Sequence, residues 1–168
     1  GYLYKGISHL RIGQIQVGID NIEQSLTLNP NNAEARIFLV EGYLRLGDQE
    51  GVENAVNGVK PLLNEGTNTQ ILELANLLFE YQQYPLVKSV IERTKLNDST
   101  LEINLLWAKN LVELGEYSKA LDIEELLRGS YDIYSTRQQA EVDAYIGFAM
   151  FNLDSKAEGL EMVKSAQL

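Results

Sequence analysis

Few side chains in this sequence could do chemistry. His9 is the only histidine, and a Ser–His or metal–His site would need partners converging on it. On its apolar helical stripe it reads instead as a half-buried packing residue. Glu113 with Glu116, and Glu124 with Glu125, are carboxylate pairs. General acid chemistry needs an apolar pocket to raise one member of such a pair. The surrounding pattern implies none, so both pairs read as solvated helix surface. Cysteine is absent, which removes thiolate nucleophiles, disulfides and Cys-type zinc sites. No Gly-rich phosphate loop follows a strand, because no stretch shows sustained strand alternation. The sequon Asn97-Asp98-Ser99 needs a secretory host to matter and reads as chance. These residues point to no enzyme, no metal and no cofactor.

The charge balance narrows the classes further. In 168 residues, 14 Lys+Arg stand against 24 Asp+Glu, a net charge of −10 and a pI near 4.6. Nucleic-acid backbones and anionic membrane surfaces both call for clustered bases, so neither is an expected partner. The most apolar stretch, Ile103 to Val112, is interrupted by Asn104, Lys109 and Asn110. A membrane span needs roughly 20 apolar residues, so insertion is not expected either. The chain lacks an initiator Met and opens inside an apparent helix, which reads as a fragment of a longer protein. A cysteine-free, Asn-rich composition fits cytosol or bacterial periplasm, with a lean to the bacterial envelope.

The elements that position these residues repeat. Tyr2 to Gly13 aligns with Arg36 to Gly47 at an offset of 34, and further copies run Ile71–Gln82, Asn104–Gly115 and Asp143–Asp154, at offsets of 35, 33 and 39. Each copy reads as two amphipathic helices. Ile37, Val40 and Leu44 form one helical stripe, Gly47-Asp48 breaks it, and Val52, Ala55, Val56 and Val59 form the next. Pro30 follows a helix end, and Pro85 sits where a first turn tolerates a missing N–H. Gly6, Val40, Ala75, Ala108 and Gly147 fall where each first helix crosses its neighbour. Gly18, Val52, Val87, Ala120 and Gly159 do the same for the second helices. Large fillers lie between them: His9, Tyr43, Leu78, Leu111 and Met150, then Ile22, Val56, Ile91 and Val163. Glu124 breaks that last series by a register step. The fifth copy starts about five residues late, after a segment whose Tyr131 and Tyr134 read as covers for exposed core.

This pattern resembles the tetratricopeptide repeat, most clearly at Leu39, Tyr43, Gly47 and Asp48, and at Trp107-Ala108, Leu114-Gly115, Tyr117 and Ala120. Lys5 stands where Leu is usual, and Gln82 replaces the turn glycine. The resemblance implies an all-α, right-handed α-solenoid of antiparallel helix hairpins. Its five units would span about 1–32, 33–66, 67–99, 100–135 and 136–168 in a single array. It also implies a non-catalytic scaffold whose first helices line a concave groove for a peptide or partner helix. Carried onto this sequence, the groove residues are Tyr4, Ile7 and Arg11, then Phe38, Glu41 and Arg45. Glu73, Asn76, Phe79 and Glu80 follow, and then Lys109, Tyr145 and Phe148. Leu3, Glu34, Ile37, Leu72, Glu102, Leu106, Glu113, Glu141 and Asn152 belong to the same groove set. Acids outnumber bases there and aromatics are interleaved, so an apolar or basic protein segment is the expected partner.

Family members that clamp the acidic C-terminal tails of chaperones use Lys, Asn and Arg at set groove places. The matching places here hold Leu3, Ile7, Phe38, Thr69 and Glu73. One unit further on they hold Ile37, Glu41, Glu73, Glu102 and Leu106. Neither frame supplies the bases. The last helix, expected from Leu160 to Leu168, keeps apolar Leu160, Met162 and Val163 with no solvating helix after it. Truncation or self-association through an open repeat end would explain this. The alternative function is a structural spacer in a larger bacterial envelope or secretion complex.

Overall fold

A computed structural model describes residues 1–63, 68–93, 100–153 and 156–166. The sequon at 97–99 and the unit boundary expected at 66/67 lie outside these residues. Among the described residues there are helices and turns and no strand. The chain divides into two compact units, Gly1–Tyr81 and Gln82–Leu168.

Unit 1 contains α1 (Tyr2–Arg11), α2 (Ile15–Leu28), α3 (Ala33–Leu46), α4 (Gln49–Val59), a short 3-10 turn and α5 (Asn68–Glu80). Its helices form because apolar residues recur every three or four positions. Leu3, Gly6, Ile7 and Leu10 turn inward from α1, and Gly18, Ile19 and Ile22 from α2. Burying each large aliphatic side chain stabilises the stack by roughly 1.5–3 kcal/mol. α1 packs on α2, α2 on α3, and α3 on both α4 and α5. Asn32 caps α3 by accepting from the Ala35 N–H at 3.0 Å, and Asp48 caps α4 from Gly51 at 3.0 Å. Each cap satisfies an end donor that has no partner within its helix. The phenol of Tyr43 donates to Glu23 Oε1 at 2.7 Å, tying α3 to α2.

Unit 2 contains α6 (Tyr84–Ile91), α7 (Leu101–Glu113), α8 (Tyr117–Asp122), α9 (Glu124–Arg128), a 3-10 turn, α10 (Thr136–Asn152) and α11 (Lys156–Ser165). α7 is its centre, packing against α6, α8, α9 and α10. It is buried nearly all round, and this includes Asn104 and Asn110. The side-chain amide of Asn110 is fully buried and has no hydrogen-bond partner among the described residues. The last helix begins at Lys156, earlier than Leu160.

The repeat's irregularities have visible causes. The register step at Glu124 is a helix break: Ile123, at φ −103° and ψ 4°, separates α8 from α9, and both Ile123 and Leu127 stay buried. The late fifth unit follows a connection containing the Tyr131–Ile133 turn and leads into the 17-residue α10. Ser135 and Gln138 cap that helix reciprocally, which fixes where it starts. Tyr134 is buried. Tyr131 is half-buried and donates to Asp143 Oδ2 at 2.6 Å. At the turns, Gly13, Gly47 and Gly115 have φ of 81°, 76° and 72°, and Gln82 holds the same left-handed place at 58°.

The small-residue crossings are buried. A Cβ on Gly6 would lie 2.8 Å from the Gly18 carbonyl oxygen, and one on Gly159 would lie 2.4 Å from that of Gly147. No side chain larger than hydrogen fits either approach without moving backbone.

Candidate partner-binding surface

The residues expected to face a partner divide by burial. In unit 1, Ile7 is only 6% exposed and belongs to the core, as do Leu3 and Ile37. Their α1 and α3 positions turn inward and lend no surface. Tyr4, by contrast, is 69% exposed. Arg11, Glu73, Asn76 and Glu80 are exposed as well, while Phe38, Glu41 and Phe79 are half-buried. Arg45 is held from within the unit. One guanidinium nitrogen donates to the Leu10 carbonyl at 2.9 Å, and another pairs with Glu41 at 2.5 Å. That carbonyl belongs to the C-terminal end of α1, which favours a cation. Two of the expected groove charges therefore neutralise each other.

Unit 2 gathers its residues more tightly. A hollow of about 270 Å³ lies between α7, α10 and α11, lined by Val112, Glu113, Ala144, Tyr145, Phe148 and Val163. Phe148 remains 46% exposed. Its ring meets that of Tyr117 edge-on, with centroids 6.1 Å apart and planes at 67°. The Lys109 ammonium lies 5.6 Å from the Tyr145 ring centre and pairs with Glu141. Glu141 also receives Arg137 at 3.1 Å. Burial alone would raise the Glu141 carboxyl, but Lys109 and then Arg137 outweigh it and hold it below the usual carboxylate range. Glu116 is likewise held low, first by Lys119 and then by Lys88, each at 2.5 Å.

Glu113 is different. Its hydrogen-bond donor is the phenol of Tyr84, whose pKa is pushed up first by burial and then by that carboxylate. Burial also raises Tyr145, with Glu113 and Glu141 adding to the effect. The carboxylate therefore acts on the same ring that walls the hollow.

Tyr84, Tyr117, Val112, Ala144 and Val163 were not among the groove residues the sequence suggested. A signal for the two tyrosines exists. Each lies two residues beyond a left-handed turn, at Gln82 and Gly115, so each starts a helix beside the next unit's first helix. His9 is half-buried and its Nδ1 lies 2.6 Å from Gln14 Oε1. Among the described residues no group of three or more His, Asp or Glu could hold a metal ion, and no helix is long and apolar enough to cross a membrane.

No protein-family model and no curated protein matches the chain. Solved structures do. A crystal structure of MamA superposes with a TM-score of 0.67 at 15% identity, covering 98% of this chain and 87% of that one. A second MamA structure gives 0.65 at 15% identity, with 96% and 92% covered. MamA of AMB-1 gives 0.65 at 18%, with 99% and 88% covered. At such identities the likeness carries the fold and nothing finer. With the helix hairpins described above, it makes the chain an all-α solenoid of tetratricopeptide-like type.

Proposed function

We propose that the chain is a non-catalytic protein-interaction scaffold, a single array of five repeats whose first helices present a surface to a peptide or partner helix. The observation that carries this is the hollow of unit 2. Aromatic anchors around a partly apolar depression are where binding energy concentrates at protein interfaces. Tyr145 and Phe148 occupy that place, and on unit 1, taken by itself, the candidate residues are Tyr4, Phe38, Glu73, Asn76, Phe79 and Glu80. The acidic chain favours an apolar or basic segment over nucleic acid. Tetratricopeptide-like architecture, shared with MamA, is consistent with a scaffold.

The test is affinity capture from host lysate with the native chain, a Phe148→Asp variant and a Phe38→Asp variant, each matched for helical content by circular dichroism. A partner lost from either variant supports groove recognition and tells which unit carries it. A partner kept by both moves the contact to another face, as the envelope-spacer alternative requires. Phe151, Leu153 and Leu160, all exposed at the last hairpin, would then be mutated next.

A further inference from the structure

We propose that the hollow of unit 2 seats one basic side chain, arginine or lysine, from the partner segment. Glu113 would take the charge, and Val112, Tyr145 and Phe148 would cover the hydrocarbon stem. This rests on the groove reading above and names what that groove holds.

Three acids on this unit differ in what already neutralises them. Glu116 is shared between Lys88 and Lys119, and Glu141 between Lys109 and Arg137. Glu113 is met by the neutral phenol of Tyr84, and among the described residues no Lys or Arg pairs with it. Lys109, four residues before Glu113 on α7, is paired with Glu141.

A carboxylate beside apolar walls discriminates sharply among occupants. A purely aliphatic side chain filling the hollow would strip water from Glu113 and return no hydrogen bond, which is costly. An acidic side chain would be repelled. A guanidinium or ammonium returns a charge-assisted hydrogen bond and gains from the neighbouring rings, while its methylenes lie on apolar surface. The Lys109 ammonium over Tyr145 shows that these rings already accept a cation nearby.

The test is a nuclear magnetic resonance titration of the whole isotope-labelled chain with three small probes: N-acetyl-arginine amide, its neutral isostere N-acetyl-citrulline amide, and N-acetyl-norleucine amide. The arginine probe should shift the amide signals of Val112, Ala144 and Phe148, with affinity about tenfold above citrulline. Glu113→Gln, an exposed and nearly isosteric change, should bring arginine down to the citrulline level, while Phe148→Ala should weaken all three probes. Norleucine binding as well as arginine would overturn the proposal, as would undiminished arginine binding by Glu113→Gln or no shift at the hollow. If those results came with a partner still lost from Phe148→Asp in lysate, the scaffold reading would stand without the basic-residue specificity.

Discussion

The two units share a construction and differ in where they depart from it. Each has a hairpin crossed at paired glycines, Gly6 with Gly18 in unit 1 and Gly147 with Gly159 in unit 2. Among the described residues, unit 1 buries no charged, amide or hydroxyl side chain, and its second helices α2 and α4 are unbroken. Unit 2 buries Asn104 and Asn110, leaves the Tyr134 hydroxyl without a partner among the described residues, and breaks between α8 and α9 at Ile123. The surfaces differ in parallel. Unit 1 neutralises Arg45 internally, whereas unit 2 leaves Glu113 facing a hollow walled by Tyr145, Phe148 and aliphatic side chains. Local rules broken on one side and kept on the other suggest where stability has yielded to function.

That comparison can be broken at its shared part. Gly159→Ala would press a Cβ to 2.4 Å from the Gly147 oxygen and 2.5 Å from the Phe151 nitrogen. Both are backbone atoms, so a loss of about 1–3 kcal/mol is expected in urea unfolding. Gly58→Ala in unit 1 meets only the tip of Arg36 at 2.5 Å. It should cost nothing, or gain about 0.5–1 kcal/mol from a better helix former. If the two variants unfolded alike, the close crossing of unit 2 would be wrong.

The buried polar groups sharpen the contrast. Asn110→Leu removes an amide with no hydrogen-bond partner among the described residues and should raise stability by about 1–2 kcal/mol. An equal loss would mean that the amide is satisfied. Gln82→Gly relieves the one non-glycine residue at positive φ, 58°, among the described residues. A gain of about 1 kcal/mol is expected, measured by the same unfolding curves.

The smallest effect is electrostatic. Glu141 and Glu116 are held below their ordinary value of 4.5 in the folded chain. Their contribution is therefore present above that value and is lost as pH falls through the lower folded pKa. The melting temperature should fall as the pH drops below about 4.5. Glu141→Gln should melt lower than the native chain near neutrality, with the gap closing in acid. A gap independent of pH would show that Lys109 is not the cause of the shift.

Much of the fold was legible in the residues, and less of the surface. Spacings near 34 placed the turn glycines and the crossing positions, because backbone approach admits only small side chains there. Ile7 was misplaced as a groove residue because α1's inward and outward positions differ by one step, and the pattern alone did not resolve that step. Glu41 and Arg45 were both expected to face a partner; their pairing at 2.5 Å comes from one helical turn of separation. Tyr84 and Tyr117 were missed as surface residues because a second-helix residue gains its neighbour only through stacking.

What the sequence determined by itself is the set of helices, their hairpin repeat, the absence of cysteine chemistry and the acidic balance. These follow from local periodicity and composition, which need no knowledge of distant neighbours. Tertiary structure decided the long-range ion pairs, and with them that Glu113 meets no Lys or Arg among the described residues. The ammonium of Lys109 reaches Glu141 across 32 residues, and that of Lys88 reaches Glu116 across 28. Such pairings depend on how packed helices bring side chains together, so the pattern of a single helix cannot contain them.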